Sequence, residues 1–269
     1  MQTYHTIADL RAVREVLPAG QRVGLVPTMG YLHAGHLSLV AQARAECDIV
    51  AASIFVNPTQ FGPQEDLSRY PRDEVRDLRL LEPAGVDWVF LPTAAEIYPP
   101  GYQTYVDVRE VTTVLEGAVR PGHFTGVATV VAKLFNLVQP HVAYFGQKDA
   151  QQVAVIRQMV RDLNFPVRIA VGATVREPDG LALSSRNVYL NAEERQAALV
   201  LSGALAAARE AWQSGTRHAG ALRAAMHAIL AAEPLARPDY VSVADAETLV
   251  ELPDAIQDRP ALVSLAVRI

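Results

Sequence analysis

The sequence predicts an α/β fold: a parallel sheet with helices on both faces, followed by a smaller α+β domain. Three features carry that prediction. Short apolar or β-branched runs alternate with helix-period segments from Val23 to Val171. The first run breaks at Pro27 and Gly30 and resumes as the periodic set Leu37, Leu39, Val40 and Ala43, which marks a strand-to-helix junction. After Glu177-Pro178-Asp179-Gly180, a turn by composition, the texture changes to Ala-rich helical runs.

In chain order, strands are expected at 23–26, 48–56, 88–91, 142–145 and 167–171, with helices at 37–47, 73–82, 126–138 and 150–163. The stretch from Pro92 to Gly122, with Pro-Pro-Gly at 99–101, reads as an insertion containing a strand at Thr104–Val108. A helix at 192–213 follows Asn191, with Glu194 three residues on in a capping-box pattern. A second helix at 217–232 and strands at Tyr240–Ala244 and Leu262–Ile269 complete the smaller domain. The expected domains are 1–176 and 177–269.

Half of the 269 residues are hydrophobic, enough for a substantial core. The formal charge of −5 and a pI near 5.8 argue against a broad nucleic-acid surface, which needs clustered Lys and Arg. No apolar stretch approaches the roughly 20 residues of a membrane span, and the N-terminus lacks a signal peptide's basic start and apolar core. Cys47, the single cysteine, excludes an internal disulfide and makes a reducing cytoplasm the expected compartment. It also leaves zinc without third and fourth ligands near the histidines.

The junction Pro27-Thr28-Met29-Gly30-Tyr31-Leu32-His33-Ala34-Gly35-His36 is the strongest candidate site. A helix start offers unpaired N–H groups and the positive end of the dipole, which favour an anion, and Gly30 and Gly35 let backbone approach it. His33 and His36, three apart, share a face in the first turn and can each donate a ring N–H to phosphate. The spacing alone serves equally for a pair of capping or surface imidazoles.

Three other segments fall at strand ends or turns. Asn57-Pro58-Thr59-Gln60-Phe61-Gly62 carries amides suited to a hydroxyl or carboxylate, though by itself it reads better as a loop satisfying its own backbone. Gly146-Gln147-Lys148-Asp149 places a point charge for phosphate at the sheet's carboxyl edge, with Asp149 either accepting from a ribose hydroxyl or capping the next helix. Leu183-Ser184-Ser185-Arg186-Asn187 offers two hydroxyls and a guanidinium, a set able to clamp a polyphosphate from a mobile loop. Arg120-Pro121-Gly122-His123-Phe124 has no specific signature.

The ordered set PTMGYLHAGH, FVNPTQF, RPGHFTGVATVV, YFGQKDAQQ and TVREPDGLALSSRN resembles the pantoate–β-alanine ligases (pantothenate synthetases) over essentially the whole chain. His33-Ala34-Gly35-His36 is similar to the HxGH element of the nucleotidyltransferase superfamily. The resemblance implies a Rossmann-like nucleotide- and pantoate-binding domain with a smaller lid domain. It also implies ATP-dependent condensation of (R)-pantoate with β-alanine through an enzyme-bound pantoyl adenylate, releasing diphosphate and then AMP. By the same resemblance, His36 is a catalytic proton donor, with His33 and Lys148 beside it. Met29 to His36 (Met29, Gly30, Tyr31, Leu32, His33, Ala34, Gly35, His36), Gly146, Gln147, Lys148, Asp149, Val175, Leu183, Ser184, Ser185 and Arg186 would bind ATP. Gln60, Gln152 and Asn57 would hold pantoate, with Gln60 also near β-alanine. Mg2+ is expected with ATP, held mostly by phosphates and waters and with no protein ligand assigned. A homodimer is expected, with small-molecule substrates and neither nucleic acid nor membrane as partner. Gln147 and Leu183 stand where the family commonly has Glu and Met, which bears on affinity rather than on any group assigned chemistry.

Overall fold

The computed structural model describes residues 1–256 and 260–269. The chain divides into two compact units, the first comprising 1–108, 122–175 and 183–185, and the second 109–121, 176–182 and 186–269. The division is therefore not a single cut: a stretch of the insertion groups with the C-terminal unit, and Leu183–Ser185 groups with the first.

The first unit contains β1 (Gln2–Tyr4), α1 (Ile7–Glu15), β2 (Val23–Thr28), α2 (Ala34–Glu46), β3 (Ile49–Ile54), α3 (Glu74–Leu81), β4 (Trp88–Phe90) and α4 (Ala94–Ile97). The helix α5 (Glu116–Val119) belongs to the second unit, and the first resumes with α6 (His123–Val138), β5 (Val142–Gly146), α7 (Ala150–Asp162) and β6 (Arg168–Gly172). The strands form one sheet in the order β1-β4-β3-β2-β5-β6, and every pairing is parallel. From β2 the chain steps through β3 to β4 in one direction, and from β5 to β6 in the other. Right-handed crossovers then put α2 and α3 on one face and α7 on the opposite one.

Core composition follows from that double covering. Val26, Val50, Val89 and Val142 are fully buried under Leu32, Val40 and Ala43 on the α2 face. On α6, Val127, Val131, Leu134, Phe135 and Val138 are all buried, which is why its sequence is apolar nearly all round.

The order reverses between β2 and β5, and ligands of open α/β sheets bind outside the strands' carboxyl ends at such a point. Pairing of β2 with β3 runs from Val23 to Thr28, but its pairing with β5 covers only Gly24 and Leu25. Pro27, which has no N–H to donate, lies where these two strands part. A crevice results between the β2–α2 turn and the β5–α7 turn.

Two sequence expectations are corrected. Thr104–Val108 forms no strand. Its Val106 N–H donates to the Thr129 side chain at 2.9 Å, so α6 rather than another strand holds that extended stretch. The single helix expected at 192–213 is two, α8 (Ala192–Ala197) and α9 (Val200–Gln213). At the break the bonding tightens to three-residue spacing, with Leu199 N–H on Gln196 O and Leu201 N–H on Ala198 O. The capping box of Asn191 and Glu194 is present at the start of α8.

The second unit adds α10 (Ala219–Leu230), β7 (Arg237–Asp245) and β8 (Ala261–Arg268). β7 and β8 form a two-stranded antiparallel ribbon. Ala204 and Ala208 of α9 let Leu222, Met226 and Leu230 of α10 approach closely over Val243, closing a separate small core.

Candidate active site

At the carboxyl end of β2 the Thr28 hydroxyl donates to Ser53 O at 2.7 Å and accepts the Gly30 N–H at 3.1 Å. The chain then turns through two consecutive left-handed residues, Gly30 (φ +84°) and Tyr31 (φ +52°). A Cβ on Gly30 would lie 2.9 Å from the Ile54 side chain and 3.1 Å from the Asp77 carboxylate, so both the dihedral and the space demand glycine.

The helix α2 starts with a reciprocal cap made by two histidines. His33 Nδ1 accepts the Gly35 N–H at 3.1 Å, and His36 Nδ1 accepts the His33 N–H at 3.2 Å. The ring centroids are 4.1 Å apart. This arrangement settles the choice left open by the spacing: the imidazoles do cap the helix, and capping fixes their chemistry. With Nδ1 accepting, the proton of each neutral ring is on Nε2, so both rings are Nε2–H donors. Burial, with the His33 ring next to it, pushes His36 down to about 3. Burial and then Lys148 lower His33. At neutral pH the pair is uncharged.

Gly35 is explained by the same cap. A Cβ there would sit 2.9 Å from His33 Cε1 and Nδ1, in the space the ring needs to reach its backbone donor.

Across the crevice, Gln147–Asp149 form a short 3-10 turn that leads into α7. Lys148 Nζ is 3.3 Å from Asp149 Oδ1, and both side chains are substantially exposed. The Lys148 ammonium lowers both histidines while the Asp149 carboxylate raises them, so the β5–α7 turn acts electrostatically on the β2–α2 turn. Gln152 is half-buried in the first turn of α7, beside the buried Gln151.

The amide loop lies on the other side of β2. Asn57 is buried with both ends of its amide engaged: Nδ2 donates to Gln60 Oε1 and to Gly126 O, each at 3.0 Å, and Oδ1 accepts from the Tyr98 hydroxyl at 2.9 Å. Its contribution to a pocket therefore runs through Gln60, whose Oε1 it holds. Gln60 Nε2 lies 3.8 Å from Met29 Sδ, which brings the amide loop against the β2–α2 turn. Gly126 lets α6 pack on this loop, since a Cβ would be 2.3 Å from Thr59 O.

Of the Ser-Ser-Arg segment, Ser185 is buried and donates to Tyr31 O at 3.1 Å. Leu183 N–H donates to Val175 O at 3.0 Å, and the Val175 side chain would lie 3.9 Å from a Cβ placed on Gly35. Arg186 belongs to the second unit. The first unit thus brings together His33, His36, Lys148, Asp149, Gln60, Met29, Val175 and Ser185.

The sequence reading missed Asp77 and Arg76 of α3. Asp77 is 1 % exposed and accepts the Tyr31 N–H at 2.6 Å and the Leu32 N–H at 2.8 Å, while Arg76 donates to Leu32 O at 2.9 Å. A signal was present: Asp77 occupies the buried face of α3 one turn before Leu81, where a carboxylate is out of place unless it has work to do. Among the described residues no group of three or more His, Cys, Asp or Glu is placed to hold a metal ion.

Residues 2–269 match the family described as pantoate-beta-alanine ligase. The chain is 64 % identical over 268 residues to a protein named pantothenate synthetase from Chloroflexus aurantiacus, covering 100 % of this chain and 94 % of that one. A crystal structure of pantothenate synthetase from Thermus thermophilus is 53 % identical, with a TM-score of 0.92 and coverage of 99 % of this chain and 95 % of that one. The pantoate-beta-alanine ligase from Francisella tularensis, crystallised with beta-gamma ATP and beta-alanine, is 34 % identical with a TM-score of 0.79, covering 99 % of this chain and 97 % of that chain. With its sheet, its histidine turn and its full-length match in agreement, the chain belongs to the pantoate–β-alanine ligase family.

Proposed function

We propose that this chain condenses pantoate with β-alanine at the expense of ATP in two steps within the crevice at β2 and β5. A pantoate carboxylate oxygen attacks the α-phosphorus, the bond to the bridging oxygen breaks, and diphosphate leaves. The β-alanine amine then attacks the carbonyl of the pantoyl adenylate, loses a proton, and expels AMP. Activation is needed because a free carboxylate is anionic and has no leaving group that an amine can displace.

The observation that carries this reading is the reciprocal cap of His33 and His36 beside Lys148. Two neutral Nε2–H donors, each fixed by a backbone N–H, are preorganised for oxygens that gain charge as the α-phosphorus becomes five-coordinate. A ring held neutral with its pKa near 3 acts by hydrogen bonding rather than as an imidazolium acid, which refines the proton-donor role for His36. Lys148 supplies the positive charge that diphosphate needs on leaving, and Ser184 extends the phosphate contacts, while the Ser185 hydroxyl is spent on the Tyr31 carbonyl. Gln60, with Oε1 held by Asn57, presents its Nε2–H to the pantoate carboxylate or hydroxyl, and Gln152 is its partner in that pocket. Mg2+ arrives as part of the nucleotide substrate, held by phosphate oxygens and waters. Holding two reactants in line supplies roughly 7–11 kcal/mol of barrier reduction.

No helix among the described residues is long and apolar enough to cross a membrane. We take the working form to be a cytoplasmic homodimer. The test is exchange of labelled diphosphate into ATP by the purified protein with Mg2+. Exchange should require pantoate, and AMP should accumulate only when β-alanine is added. Exchange independent of pantoate overturns the reading.

A further inference from the structure

We infer that Asp77, assisted by Arg76, is a positioning residue for the nucleotide turn: a carboxylate from α3 that holds the Tyr31 and Leu32 peptides in the path that sets the His33–His36 pair. The inference rests on the proposed use of that turn to bind ATP.

Neither residue belongs to the turn. Asp77 lies 45 residues beyond Leu32, yet both its oxygens are spent there, on the N–H groups of Tyr31 and Leu32. The Arg76 guanidinium takes the Leu32 carbonyl and lies 5.0 Å from the centroid of the Tyr31 ring. Ser185 donates to the Tyr31 carbonyl, so that residue is gripped at both ends. The grip falls where the backbone needs it, since Tyr31 is a non-glycine residue in the left-handed region, immediately after left-handed Gly30.

The bonding also decides which donors a phosphate can use. The N–H groups of Gly30, Tyr31, Leu32, His33 and Gly35 are all engaged within the first unit, by Thr28, Asp77, His36 and His33. The turn therefore does not cradle phosphate with this backbone; it aims two rings. Asp77 fixes the aim. In terms of packing alone, a leucine at this position would serve the buried face of α3 as Leu81 does one turn on, and would leave the two peptide N–H groups buried without an acceptor.

Asp77→Asn keeps the shape and replaces one acceptor oxygen with an NH2 facing a peptide N–H. Arg76→Met removes the guanidinium from a side chain that is 45 % exposed, and so tests the clamp without disturbing the core. Pantoate-dependent exchange is measured with ATP and pantoate varied separately, alongside calorimetric titration of ATP and thermal unfolding. For Asp77→Asn the expected result is about tenfold or greater loss in kcat/KM for ATP, with kcat falling too, while KM for pantoate stays within about twofold. Arg76→Met should move the same parameters by about two- to fivefold. A purely structural role would scale the activity by the folded fraction and leave both KM values alone; that result overturns the proposal. If Asp77→Asn does not fold, wild-type kinetics and wild-type ATP affinity in Arg76→Met overturn it. A wild-type protein that binds ATP but shows no pantoate-dependent exchange fails the functional reading instead, and the calorimetric arm still reports on the clamp.

Discussion

The β2–α2 turn and the β5–α7 turn face one crevice and are built on opposite principles. In the first, two left-handed residues, a buried carboxylate and two capping imidazoles leave scarcely a backbone donor unspent, and the groups left to act are neutral. In the second, Lys148 and Asp149 are exposed charged side chains, paired only loosely with each other at 3.3 Å. The contrast separates two requirements of phosphoryl transfer. Hydrogen-bond donors must be aimed before the reaction begins, because reorganisation at the transition state wastes their strength. Charge acts over longer range and tolerates a mobile side chain, which can follow diphosphate as it leaves.

Removing His36 should have the largest effect. His36→Ala deletes the preorganised donor and the acceptor of the His33 N–H together, so adenylation is expected to fall by about 10²–10³-fold, or ~3–4 kcal/mol. The loss should be nearly independent of ionic strength, because a neutral ring is removed. Lys148→Ala comes next, with about a 10²-fold loss in diphosphate exchange, partly recovered by Lys148→Arg. Here the wild-type enzyme should lose ATP affinity as salt rises, and the variant should lose much less. A strongly salt-dependent deficit in His36→Ala, or a salt-insensitive one in Lys148→Ala, would break the division of roles.

The same contrast explains what could be read from the sequence. The β2–α2 junction was legible because a strand run, glycines and a helix period meet there, and the double-wound sheet followed from alternating apolar runs. What the histidines do was not legible: a His-x-x-His pair has the same spacing whether it caps, ligates or donates, and only the Nδ1 contacts decide. Asp77 escaped because its partners are 45 and 46 residues away and nothing local marks them. The β1 edge of the sheet escaped for a similar reason. β1 has three largely exposed residues and becomes a strand only by pairing with Trp88–Phe90, and α1 buries Leu10 alone. The Ala-rich run at 192–213 shows the opposite failure, a strong helical composition concealing a change in bonding at Ala198 and Leu199.

Glycine substitutions probe the two turns on equal terms. Gly35→Ala places a methyl 2.9 Å from the His33 ring and should push that ring off the Gly35 N–H, costing about 1–2 kcal/mol in stability and weakening ATP binding about tenfold. Gly146→Ala, at φ −83° with nothing within 4 Å, should leave the unfolding midpoint nearly unchanged. Equal destabilisation by the two substitutions would mean that the β5–α7 turn is as tightly specified as its neighbour.

A last test of the contrast concerns protonation. In the folded chain His36 stays neutral until the pH approaches about 3, against an ordinary value of 6.5. On acidification the unfolded chain therefore takes up a proton at this residue before the folded chain does. Stability should be lost as the pH falls below 6.5, by up to about 1.4 kcal/mol per pH unit, and be fully present above that value. Urea unfolding of wild type and His36→Gln between about pH 7 and pH 5 isolates the contribution, and the variant should show the shallower slope. If His36→Gln and wild type fall in parallel, the ring titrates freely in the fold, and the neutral-donor role of the first turn is lost with it.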